Sequence, residues 1–80
     1  MPTVLRLKGF RFFFFSNDYV EPVHIHVESG DKYAKFWLEP VELVQSAGFN
    51  AREISEIRRL VMAHREVLRR RWDEYFDKAS

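Results

Sequence analysis

The sequence has no cysteine. That absence removes disulfide staples, thiolate metal sites and cysteine nucleophiles together. It fits a reducing compartment, and the expected location is the cytoplasm. Glycine and proline are scarce, three of each in 80 residues, and no linker, internal repeat or low-complexity segment breaks the chain. No apolar run is longer than Phe12 to Phe15, far short of the roughly 20 residues that span a bilayer. No charged-then-apolar leader precedes a small-residue cleavage site, so neither secretion nor a membrane partner is expected. Excess charge is also lacking: the net charge is +1, which does not demand a nucleic-acid partner. No glycine-rich phosphate loop, serine-nucleophile signature or calcium loop is present.

What remains is a globular composition, 46% hydrophobic and 31% charged, of a size for one domain over 1–80. A domain this small buries only about 60% of its unfolded surface. Yet aromatics make up 16% of the chain, including eight Phe. Part of that apolar surface is therefore expected to be buried between chains rather than within one.

The first half reads as strands. Val4 to Lys8 alternates moderately, and Gly9 can supply a turn. Phe10 to Phe15 suits a packed pleated surface. Ser16-Asn17-Asp18 are turn residues, with a loop to Pro22. Val23 to Glu28 alternates strictly, Ser29-Gly30-Asp31 reads as a hairpin loop, and Lys32 to Leu38 alternates again. Val41 to Ser46 fits either an edge strand or a helical turn opened by Pro40, with the strand favoured. Asn50 is a good N-cap, Glu53 completes a capping box, and Phe49 with Ile54 makes a hydrophobic staple. Ile54, Ile57, Leu60, Val61, His64, Val67, Leu68, Trp72 and Tyr75 then form one apolar stripe. The expected fold is α+β: a small antiparallel sheet of four to five strands, about 3–45, packed on one long C-terminal helix, about 51–76.

Period two assigns faces. The core face takes Leu5, Leu7, Phe10, Phe12, Phe14, Val23, Ile25, Val27, Ala34, Phe36 and Leu38. The opposite face carries Arg6, Lys8, Arg11, Phe13, Phe15, His24, His26, Tyr33, Lys35 and Trp37. Aromatics beside Arg and Lys suit the centre of a protein interface. They also suit a stacking platform for single-stranded bases. A third possibility is a face covered by the chain's own segments. The binding face is assigned to Arg6, Arg11, Phe13, Phe15, Tyr33, Lys35 and Trp37.

His24 and His26, two apart on a strand, point to one side. Such a pair can share acid–base work near neutral pH or chelate a first-row metal. A metal needs a third ligand; Asp18 and Glu28 are carboxylates close by in sequence. With none obvious, no metal and no cofactor is assigned, and the pair is kept as the catalytic candidate should the chain be an enzyme, which the sequence leaves open. Asn17-Asp18 reads most simply as a loop cap. Arg69-Arg70-Arg71 points three ways on a helix and reads as a solvated face. His64 reads as a core-edge histidine, and Glu66 with Arg70 as a helical ion pair.

These motifs resemble a family of short bacterial proteins known only as a domain of unknown function. The resemblance lies in Met1-Pro2-Thr3-Val4, the aromatic strand Phe10 to Phe15, Ser16-Asn17-Asp18, Pro22 with His24-Ile25-His26-Val27, Ala34 to Leu43, and Gly48-Phe49 before the helix. Members are often encoded beside a second small protein, which implies a toxin–antitoxin-like pair and a protein partner. Many carry a histidine where Tyr19 stands and a second proline where Val23 stands. The departure at Tyr19 removes a possible metal ligand. Three functions are thus expected in turn: a module component that binds a cognate small protein or itself, a metal-independent ribonuclease toxin using His24 and His26, and a non-catalytic nucleic-acid regulator.

Overall fold

A computed structural model describes residues 3–77; Met1 and Pro2, part of the resemblance above, lie outside the described residues. Five strands, β1 (Thr3–Leu7), β2 (Phe10–Phe13), β3 (His24–Ser29), β4 (Lys32–Leu38) and β5 (Val41–Ala47), form one antiparallel sheet in chain order. The α+β expectation holds, with the full count of five strands. Val41–Ala47 is a strand and not a helical turn.

Local chemistry explains the joints. Leu7 pairs with Phe10, so Lys8-Gly9 is a two-residue hairpin loop. Both residues have positive φ, 51° and 83°, as the twist of a tight hairpin requires. Asn50 accepts a hydrogen bond from the Glu53 backbone at 2.8 Å, and the Glu53 carboxylate accepts one from the Asn50 backbone at 3.0 Å. The capping box read from sequence is therefore formed.

The expected single helix is corrected to two, α1 (Ala51–Ala63) and α2 (Arg65–Asp77). The break falls at His64, with φ −111° and ψ 17°. Its ring nitrogen Nδ1 sits 2.9 Å from the Leu60 carbonyl oxygen, so the side chain competes for a backbone acceptor where the helix stops. No glycine or proline marks the break, and the apolar stripe runs through it. On α2 the ion pairs are Arg69 with Asp73, and Arg69 with Glu39 of the β4–β5 turn, in place of the expected Glu66 with Arg70.

Packing follows the expected phase. Phe10, Phe12, Phe14, Ile25, Val27, Ala34, Phe36 and Leu38 form one buried cluster with Ile57, Val61 and Leu68 of the helices. Leu5, Leu7 and Val23 pack at its margin. Phe14, just past β2, meets Trp72, Tyr75 and Phe76 at the far end of α2.

Candidate functional site: a buried His–Asp–His cluster

The strand register places the remaining side chains on the opposite face. Cross-strand neighbours there include Phe13 with His26, His24 with Trp37, His26 with Lys35 and Glu28 with Tyr33. This face is not an open platform, however. After β2 the chain crosses it through a short 3-10 turn, Asp18–Val20. Beneath that segment Phe13, His24 and His26 are buried. Phe15, Tyr33, Lys35 and Trp37 are half-buried, as is Arg11, and only Arg6 of the assigned binding face is exposed. The chain's own segment and side chains cover the centre of this face, the third of the possibilities that the sequence leaves open. Lys35 lies over the Trp37 ring and pairs with Glu21, while Arg11 lies over Phe13 and pairs with Glu28.

The crossing segment brings Asp18 between the two imidazoles. Nε2 of His24 lies 3.1 Å from Asp18 Oδ1, and Nε2 of His26 lies 2.9 Å from Asp18 Oδ2. The backbone N–H of Phe15 donates to Asp18 Oδ2 at 2.7 Å and holds the carboxylate in place. His24 Nδ1 sits 2.8 Å from the Pro22 carbonyl oxygen. A carbonyl only accepts, so Nδ1 carries the hydrogen. His26 Nδ1 sits 2.7 Å from the Tyr33 hydroxyl. The two imidazoles meet edge to face at 4.9 Å, and His24 also packs edge-on against Trp72 at 5.2 Å.

Electrostatics follow from burial. Desolvation pushes the His26 imidazole below its ordinary range, against the pull of the Asp18 hydrogen bond and charge. Burial likewise pushes the Tyr33 phenol up, aided by the Asp18 and Glu21 carboxylates. Glu21 is held below the usual carboxylate range by its hydrogen bond to Lys35.

Sequence reasoning found His24 and His26 but read Asp18 as a loop cap. The cluster Asp18, His24 and His26 has one donor atom from each residue within 4.8 Å of the others. The one signal for it was that Asp18 stands a few residues upstream of the histidine strand, although Glu21 is nearer in sequence. Beside the cluster lies a cleft of about 910 Å³ whose walls include Tyr19, Glu21, Val23, Arg69, Trp72 and Phe76. Tyr19, on its wall, is exposed, as is the neighbouring Val20.

A small antiparallel meander backed by two helices, with a buried histidine–carboxylate cluster, defines the class of this domain. A family model described as a domain of unknown function, DUF4160, matches residues 9–73, and the chain belongs to that family. No curated protein and no solved structure matches it.

Proposed function

We propose that this chain acts by binding a second small protein, as one half of a toxin–antitoxin-like module in the bacterial cytoplasm. The observation that carries this reading is the edge strand β5. It is seven residues long, and all but Val41 are exposed. Leu43 and Val44 are among the exposed large hydrophobics. Among the described residues only β4 pairs with it, and its other backbone edge has no strand partner. Proteins usually protect such an edge with lysine, proline or a short strand. Here neither residue occurs within the strand, and its devices are the Glu42 charge and a bulge opposite Lys35 and Phe36. An added partner strand would satisfy that edge and cover Leu43. In the described residues no helix is long and apolar enough to cross a membrane.

Burial weighs against the two other readings. A general acid or base must come within hydrogen-bond reach of its substrate. Both imidazoles lie under the crossing segment, and their Nε2 atoms face Asp18. A base-stacking platform needs open rings, and Phe13 is closed over.

The test is co-expression with the product of the adjacent gene, followed by light scattering on a sizing column. A stable 1:1 complex is expected, which Leu43→Lys together with Val44→Lys dissociates. A strict monomer with no complex at high concentration defeats the reading. A homodimer on the same edge replaces the cognate partner with a second copy.

A further inference from the structure

We propose that Asp18, His24 and His26 bind one divalent first-row cation, of which Zn2+ is the best chemical match, and that this ion is structural. It clips the crossing segment onto β3. The proposal is independent of the partner reading above.

Three observations carry it. The first is the charge balance of a buried acid. Asp18 is 8% exposed. Its ion-pair partners are His24 and His26, and among the described residues no lysine or arginine reaches it. A buried carboxylate is costly without a positive partner, and a divalent cation supplies one directly.

The second is an orphaned nitrogen. His24 Nε2 is buried and makes no hydrogen bond, although Asp18 Oδ1 is only 3.1 Å away. Because Nδ1 gives its hydrogen to Pro22, a neutral His24 turns the Nε2 lone pair towards an anionic oxygen. Two acceptors face each other at contact distance. A cation between them converts that repulsion into two bonds.

The third is the surrounding shell. A metal-bound histidine generally donates its other N–H to a carbonyl, carboxylate or similar acceptor. Nδ1 of His24 meets the Pro22 carbonyl, and Nδ1 of His26 meets the Tyr33 oxygen. His24 is thereby set to offer Nε2, whereas at His26 the Tyr33 hydroxyl can donate or accept and Nε2 lies 2.9 Å from Asp18 Oδ2, so an ion there displaces the Nε2 hydrogen. The carboxylate is oriented in turn by the Phe15 N–H. Ligand bonds near 2.0–2.2 Å in a tetrahedron separate donor atoms by about 3.3 Å. The two nitrogen-to-oxygen distances here, 3.1 and 2.9 Å, are close to that edge before any ion adjusts them. Imidazole and carboxylate without thiolate suit Zn2+ and its neighbours rather than Mg2+ or Ca2+. Glu21, whose Oε1 is 4.0 Å from His24 Nε2, is the nearest further carboxylate for a fourth position. That oxygen already takes the Lys35 ammonium, so Glu21 would have to change partners; the three ligands themselves are buried beneath the crossing segment, out of a substrate's reach, as suits a structural ion.

The test uses the full chain after exhaustive chelation. Zn2+ titrated by calorimetry should bind at one equivalent and raise the melting temperature. Co2+ should give the intense visible bands of a tetrahedral site. Asp18→Asn and His24→Gln should each weaken Zn2+ binding by more than about a hundredfold, since even outer partners of a metal site are worth about 10–100-fold. His64→Gln, remote from the cluster, should leave it unchanged. Should a cluster variant fail to fold, X-ray absorption on the Co2+-loaded wild type decides by counting two imidazole ligands. Absence of stoichiometric binding by the folded wild type overturns the proposal. Binding that survives both cluster substitutions overturns it equally.

Discussion

Phe14 and Trp72 meet edge to face, their ring centroids 5.3 Å apart and their planes at 90°. One residue lies just beyond β2 and the other near the end of α2. This contact fastens the second helix to the mouth of the crossing segment. Phe14→Ala should cost about 3–5 kcal/mol, the usual range for a buried phenylalanine. That is a large share of the about 4–12 kcal/mol expected for a chain of this length. Urea denaturation checks it. A loss below about 1 kcal/mol would show that α2 is held by other means.

The helix start carries a pH signature. The Glu53 carboxylate is held below its ordinary value by its hydrogen bond to Lys32 and then by the Asn50 backbone. Its folded value lies below the unfolded one, near 4.5. The stabilisation is therefore complete above that value and is lost as pH falls through the lowered one. Helicity followed by circular dichroism should decline on acidification in wild type. Glu53→Gln should remove its part of that decline. An identical acid profile in the variant would contradict the assignment.

Two glycines separate backbone strain from crowding. Gly9 has φ +83°, and a Cβ there meets nothing within 4 Å. Gly48 has φ +93°, and a Cβ there would stand 3.0 Å from Lys32 Cγ and 3.3 Å from Lys32 Cα. Gly9→Ala should cost about 1–2 kcal/mol from the left-handed backbone alone. Gly48→Ala should cost more, because the Lys32 backbone cannot swing aside. Equal losses in thermal denaturation would mean that the contact relaxes freely.

Much of the architecture was legible in the sequence, for physical reasons. Strict alternation in Val23–Glu28 and Lys32–Leu38 fixes which side chains share a face, and the core came out as read. Asn50 and Glu53 announce a helix start through chemistry local to four positions. The break at His64 was invisible because its stripe positions stay apolar on both sides. The site was half legible. Period two places His24 and His26 together on one face, but it is silent on whether another segment lies over that face. The cover is a tertiary event. It depends on how the chain between Phe13 and His24 returns across the sheet, and turn-forming residues record only that it bends.

Because sheet order follows chain order, each strand can pair with the one made just before it. Each antiparallel pair closes over a short stretch of chain, so the meander can form from local contacts alone. Its apolar side, with Ile25, Val27 and Phe36, stays uncovered until Ile57, Val61 and Leu68 dock on it. A folding chain with the sheet formed and the helices undocked therefore exposes that side to other chains.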